Sequence, residues 1–208
     1  RDSADTARLL KLRGRAMQAA VPVGEGAMAA LLGLDFVAAT EVAAEAAAEG
    51  GVVQAANDND PAQVVISGTR AAVERAVEIA KGRGAKRAIL LPVSAPFHSS
   101  LMQPAADAMA EALSGVAVAA PAVPVVSNVR AEAVNDPEAI RQLLVEQVTG
   151  SVRWRESVQW MAGQGVTEFW EIGAGKALSG MIRRIAKESI VRTVGTPEEV
   201  AAAAASLQ

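Results

Sequence analysis

His98 is the only histidine in a 208-residue chain that contains neither cysteine nor tyrosine. It is therefore the one ordinary side chain able to carry a proton near neutral pH. It lies within Leu90-Leu91-Pro92-Val93-Ser94-Ala95-Pro96-Phe97-His98-Ser99-Ser100-Leu101-Met102. Pro92 and Pro96 each remove an amide donor, fix φ and bias the preceding residue toward extended geometry, which predicts a stiff, non-helical ledge. Such a ledge could hold an imidazole in one orientation, either to satisfy a local hydrogen bond or to move a proton. A second candidate is Arg13. On a 3.6-residue wheel, Leu9, Leu12, Ala16, Met17 and Ala20 share one arc of a helix expected over 2–20, with Arg8, Lys11, Arg15 and Gln18 opposite. Arg13 falls in the middle of the apolar arc. It can lay its stem on the core and snorkel its head to water, or it can present a desolvated guanidinium to an anion. Arginine suits the second use because it stays charged and forks two parallel N–H bonds onto a carboxylate.

A third stretch, Gly173-Ala174-Gly175-Lys176, resembles a phosphate loop without satisfying either common pattern. The third glycine of a dinucleotide fingerprint would fall at Leu178, and a Walker loop would need glycine where Trp170 stands. A tight strand-to-helix turn remains, able at most to favour a nearby anion.

Composition narrows the chemistry further. The chain is long enough to bury a substantial core, as one large or two small domains. Half of it is hydrophobic, and its net charge of -3 offers no basic surface of the kind nucleic acid requires. Without cysteine there can be neither disulfides nor thiolate metal sites, and one histidine cannot build an imidazole-rich zinc centre. A carboxylate-only Mg²⁺ or Ca²⁺ site stays open, but no EF-hand-like spacing occurs; no resident metal is expected. No apolar run reaches membrane-spanning length and no signal-peptide pattern opens the chain. The expectation is a soluble, cytoplasmic protein that binds neither membrane nor nucleic acid.

The elements that must position His98 and Arg13 read in order. After a break at Val21–Gly26, an apolar strand is expected over 27–34 and a helix capped by Asp35 through Ala48, stopped by Glu49-Gly50-Gly51. Strands follow at 52–56 and 63–67, joined by the turn-forming run Asn57-Asp58-Asn59-Asp60-Pro61. Thr69 caps a second helix to about Lys81, with Ala72, Val73, Ala76, Val77 and Ala80 inward, and 86–91 is a further strand. The sum is β-α-β-β-α-β, a ferredoxin-like module that delivers the chain to His98. Beyond it come a helix over 101–113, a short buried strand over 124–128, helices over 136–148 and 152–161, a strand over 167–172 and a helix bearing Leu178, Met181, Ile182 and Ile185. This alternation suggests a layered parallel sheet. Pro197–Gln208 is expected to be a surface helix.

Several stretches together resemble malonyl-CoA:acyl carrier protein transacylases. They are Leu12-Arg13-Gly14-Arg15-Ala16-Met17-Gln18-Ala19-Ala20-Val21-Pro22, Gly24-Glu25-Gly26-Ala27-Met28-Ala29-Ala30, Gln63-Val64-Val65-Ile66-Ser67-Gly68, Leu91-Pro92-Val93-Ser94-Ala95-Pro96-Phe97-His98-Ser99, Pro124-Val125-Val126-Ser127-Asn128-Val129 and Glu171-Ile172-Gly173-Ala174-Gly175-Lys176. The resemblance implies an α/β fold. A partial α/β-hydrolase-like acyltransferase subdomain would be formed by residues 1–22 and 93–208, with an inserted ferredoxin-like subdomain over 23–92. It also implies transfer of a malonyl group from malonyl-CoA to the phosphopantetheine thiol of acyl carrier protein in fatty-acid biosynthesis, ping-pong through an acyl-serine. Coenzyme A would enter as a thioester substrate, and no cofactor would be needed.

By the same resemblance, His98 is the general base and Arg13 clamps the free malonyl carboxylate. Gln147 supplies the backbone carbonyl that orients the histidine in place of the acid of a conventional triad, since the imidazole needs a fixed tautomer more than a full charge. Asn57 lies in a loop near the pocket, or is simply a turn residue. Phe97 matches malonyl-selective members, whose bulk disfavours an α-methyl branch by about 1 to 3 kcal/mol.

One departure matters. The family nucleophile is a serine in a G-H-S-x-G elbow, and no serine in this chain has glycine at both minus two and plus two. The elbow precedes the Arg13 helix in the family, as does an oxyanion glutamine, and both are absent from these residues. The resemblance thus implies the C-terminal two-thirds of such an enzyme, unable to form the acyl-enzyme by itself. Two further assignments stay open: the acyltransferase domain of a polyketide synthase, and a noncatalytic fragment that binds carrier protein or coenzyme A.

Overall fold

The run Gly26–Leu32, which forms strand β1, is apolar at nearly every position and buried on both faces, as befits a strand covered on both sides. In a computed structural model describing residues 3–206, helix α1 (Ser3–Ala19) precedes it. The chain continues through α2 (Phe36–Ala48), β2 (Val53–Asp60), β3 (Gln63–Thr69), α3 (Arg70–Gly82) and β4 (Arg87–Leu90). The four strands make one antiparallel sheet in the order β2-β3-β1-β4. Ala27, Ala29, Leu31, Val64 and Ile66 face α2 and α3, where Val42, Val73, Ala76 and Ala80 close the core. Met28, Ala30, Ala56 and Val65 face the other way, onto Leu91, Val93 and Phe97. The Asp35 carboxylate caps α2 by accepting from the Ala38 amide at 2.8 Å, as expected. Thr69 does not cap α3 with its side chain; its hydroxyl instead donates to the Val52 carbonyl.

After β4 the chain runs over the His98 ledge into a short 3₁₀ turn and then α4 (Gln103–Ser114), a β5 (Val125–Ser127)/β6 (Glu132–Val134) hairpin and α5 (Pro137–Thr149). The remaining elements are α6 (Trp154–Gly163), β7 (Glu168–Ile172), α7 (Ala177–Ile185), β8 (Ile190–Val194) and α8 (Pro197–Ser206). Helices α1, α4 and α5 gather around Met17, Met102, Met109, Leu113 and Val148. Asp2, the expected start of α1, lies outside the described residues. Leu12, assigned to the inner arc of α1, is exposed.

Three of these expectations are corrected, and two strands were not foreseen. The segment 57–60 is not a turn but the end of β2, and Pro61-Ala62 alone turns the chain. The stretch 124–128 is not a buried strand: Val125 is 45% exposed, and its partner strand β6 was unforeseen. Strand β8 was also missed, and it pairs with β7 in parallel. Among the described residues this two-stranded ladder is the only parallel one between named strands, so the anticipated layered parallel sheet is represented by a single β7-α7-β8 unit.

Ion pairing explains why a run of turn-forming residues extends β2. Asp58 and Asp60 are buried, at 1% and 3% exposure. Asp58 accepts from Arg155 Nε at 3.0 Å and Nη2 at 2.7 Å, and Asp60 from Arg184 Nε at 2.9 Å. Two carboxylates buried in this way require charged, hydrogen-bonded partners, and α6 and α7 supply them across the end of the strand. A bulge between Ala55 and Asn57 shifts the strand's two-residue parity. Asn57 therefore parts company with Val53 and Ala55, which face α2 and α3. Removing one partner of a buried pair leaves an uncompensated charge, so Arg155→Ala should lower unfolding free energy by about 3–5 kcal/mol. Lys81→Ala, which breaks the exposed pair with Glu78, should cost no more than about 1 kcal/mol. Denaturant titration checks both; a similar small cost for the two would mean that Arg155 does not neutralise Asp58.

Candidate active site

The ledge that carries His98 rests on β1. A Cβ placed on Gly26 would lie 2.3 Å from Pro96 Cδ, so only glycine lets this proline seat against the start of the strand. The buried Ser99 hydroxyl donates to the Pro96 carbonyl at 2.7 Å, and the Ser100 amide donates to Gln54 Oε1 of β2 at 3.0 Å. Between these ties His98 adopts φ +56°, in the left-handed region. A non-glycine residue held there stores roughly 1–3 kcal/mol of strain, a device found where a side chain must be aimed.

The ring is aimed at the end of α5. His98 Nδ1 lies 2.9 Å from the Gln147 carbonyl. A carbonyl only accepts, so Nδ1 carries the proton and Nε2 is the lone-pair nitrogen, the form required of a general base. Burial pulls the imidazole pKa below its ordinary value, the Gln147 carbonyl offsets part of this, and the Arg13 guanidinium lowers it further. The ring is therefore neutral at physiological pH. It sits at a helix C-terminus, whose partial negative charge favours the imidazolium that forms when a proton is taken up.

Arg13 faces the same space. Together with Met17, Met28, Asn57, Asn59, Leu91, Phe97 and His98 it lines a cavity of about 490 Å³. Burial depresses its pKa from the ordinary value, yet a guanidinium stays charged in proteins. Among the described residues no hydrogen bond or ion pair to that guanidinium is present, in contrast to Arg155 and Arg184. This half-buried cation is thus without a protein partner, the condition an anion site would require. The structure thus brings all five expected residues together: His98, Arg13, Phe97 and Asn57 line one cavity, and Gln147 reaches it through His98. Asn57 does so from a strand rather than from a loop. Gln54 and Asn59 were missed. The alternation Asn57-Asp58-Asn59-Asp60 could have disclosed a strand with amides on one side and acids on the other, had the distant Arg155 and Arg184 been recognisable as partners.

The glycine loop lies elsewhere in function. The N-terminus of α7 is occupied by the chain's own Glu171 carboxylate, which accepts from the amides of Leu178 at 3.2 Å and Ser179 at 2.8 Å. Two of the amides that would hold a phosphate are already used. No group of acidic or histidine side chains suited to a metal ion occurs among the described residues, and no helix there is long and apolar enough to cross a membrane.

A neutral, carbonyl-oriented imidazole sharing a cavity with an unpaired guanidinium equips a protein for proton-assisted transfer of a group that bears an anion. The family described as acyl transferase domain matches residues 2–204, and the chain belongs to that family. It is 48% identical over 202 residues to the malonyl CoA-acyl carrier protein transacylase of Escherichia coli K12, covering 97% of this chain and 65% of that protein. Its fold matches the acyl-carrier-protein-S-malonyltransferase of Bartonella henselae with a TM-score of 0.93 and 58% identity, over 98% of this chain and 64% of that one. A malonyl-transacylase in complex with a type II PKS acyl-carrier protein is also similar, with a TM-score of 0.87 and 43% identity over 94% of this chain and 63% of that one. The chain spans about 65% of the length of the curated relatives it matches.

The lone histidine makes the electrostatics directly measurable. Its NMR titration should give a pKa below the ordinary value of about 6.5, and Arg13→Ala should raise it by removing a cation from the shared cavity. Because the folded-state pKa is depressed, the unfolded chain takes up the proton more readily. Stability contributed by the neutral ring is complete above the unfolded value and is lost as pH falls through the folded one. An unchanged pKa in Arg13→Ala would show that the two side chains do not face each other.

Proposed function

We propose that this chain carries the base and the carboxylate clamp of a malonyl-CoA:acyl carrier protein transacylase of fatty-acid synthesis, working in the cytoplasm without a cofactor. The observation that carries the proposal is the cavity in which His98, its Nδ1 proton held by the Gln147 carbonyl, faces an unpaired Arg13. The names of the relatives add support, one of them being in complex with an acyl-carrier protein. In this reading Arg13 pairs with the free carboxylate of the malonyl group and so places its thioester carbonyl toward His98. Nε2 takes the proton of an attacking serine Oγ, the C–O bond forms, the C–S bond breaks, and the imidazolium returns the proton to the departing coenzyme A thiolate. The phosphopantetheine thiol of the carrier protein then repeats the sequence in reverse on the acyl-serine. Asn57 and Phe97 bound the acyl site, with Phe97 excluding branched acyl groups.

The same proposal divides the chain into a ferredoxin-like insert over 23–92, which comprises the four-stranded antiparallel sheet, and an α/β-hydrolase-like subdomain formed by 1–22 and 93–208. The serine is not among these 208 residues in the expected setting, since none of their serines is flanked by the two glycines of the elbow.

Mass spectrometry tests this. The chain exposed to malonyl-CoA should acquire no malonyl adduct. Joined to the serine-bearing segment of a relative, it should be acylated at that serine, and His98→Ala should slow acylation by about 10²–10⁴-fold. An adduct on the 208-residue chain itself, or an acylation rate indifferent to His98, would overturn the assignment.

A further inference from the structure

We propose that the side-chain amide of Gln147, as distinct from its backbone carbonyl, is a positioning group that fixes the tautomer of His98. In a continuing helix the carbonyl of residue 147 would accept from the amide of residue 151. Here the Gly150 amide makes the last helical bond, to the Glu146 carbonyl at 2.8 Å, and the chain then leaves α5 at Gly150 in extended conformation. The Gln147 carbonyl is thereby one of the orphan acceptors of a helix end, and His98 Nδ1–H takes it. An orphan carbonyl at a fraying last turn does not by itself make a precise acceptor.

The Gln147 side chain removes that freedom. Its Nε2 donates to the Gly150 carbonyl at 3.0 Å, closing a ring from the last turn of the helix to its extended exit. Beyond the ring the exit is fastened to β2, where the Ser151 hydroxyl donates to the Ala55 carbonyl at 2.6 Å and the Val152 amide donates to the Ala56 carbonyl at 2.8 Å. The Gly150 carbonyl also favours the protonated ring, as the smallest of the influences on its pKa. Glutamine is suited to the position. A glutamate would face the Gly150 carbonyl with oxygen, and a methionine of similar length has no donor. Neither substitution removes the backbone carbonyl that His98 contacts. A role confined to that carbonyl therefore predicts that both are silent.

The test reads the ring, and is independent of whether the chain takes part in malonyl transfer. The ¹⁵N resonances of the single histidine are recorded at a pH where the ring is neutral, in the wild-type chain and in Gln147→Met and Gln147→Glu. The wild type should show one tautomer, with the proton on Nδ1. In both variants that single state should be lost, the Nε2–H tautomer becoming populated and the Nδ1 resonance moving toward the unprotonated position. Thermal unfolding and the amide spectrum of the four-stranded sheet should change little. Retention of one Nδ1–H tautomer in either folded variant would overturn the proposal. So would a failure of both variants to fold, because the side chain would then hold the fold rather than aim the ring.

Discussion

The hydrogen bond between His98 Nδ1 and the Gln147 carbonyl ties the ledge that follows β4 to the end of α5. The histidine belongs to a ledge braced on β1 and tied to β2 through Gln54, whereas the carbonyl ends a helix packed on α4. The imidazole can serve as a base only if one nitrogen keeps its proton and the other keeps its lone pair. A charged carboxylate partner would fix the tautomer too, but it would also raise the ring's pKa. The helix end fixes it with a partial charge, while burial and Arg13 keep the ring neutral. The left-handed backbone at His98 is the strain that this aim requires, and surrounding hydrogen bonds offset it.

Arg13 is the complementary feature. Among the described residues most half-buried cations are matched, Arg155 with Asp58 and Arg75 with the carbonyls of Ala46 and Gly50. Leaving a guanidinium without a partner in a partly desolvated cavity costs stability, since only an opposite charge would offset the lost hydration. Packing of Met17 of α1, and of Val21 just beyond it, against Met102, Ala105 and Met109 holds the cation in place. Under the proposed function, its position opposite a neutral base is what suits it to clamp one end of a substrate.

Much of this was legible in the residues because it depends on local physics. Asp35 and the inner face of α3 are written in short-range pattern, and the prolines around His98 announce a ledge. What escaped depends on distant charges or on weak edges. Asn57–Asp60 has the composition of a turn, yet two arginines roughly a hundred residues away draw its aspartates into a strand. Strands β6 and β8 are short, half-exposed and polar in part, so period and propensity give little signal. The five candidate residues lie together in the structure, and their proximity was legible only through the family resemblance. That Arg13 lacks a partner, and that the Gln147 side chain takes part, needed coordinates.

The most direct measurement of the central claim is a titration of the chain with malonyl-CoA and, separately, acetyl-CoA, followed through the Hε1 resonance of His98. An unpaired guanidinium facing a neutral imidazole predicts a saturable shift with malonyl-CoA that is far weaker with acetyl-CoA, which lacks the second carboxylate. Equal responses to the two thioesters, or none from His98 while malonyl-CoA binds elsewhere, would contradict the account.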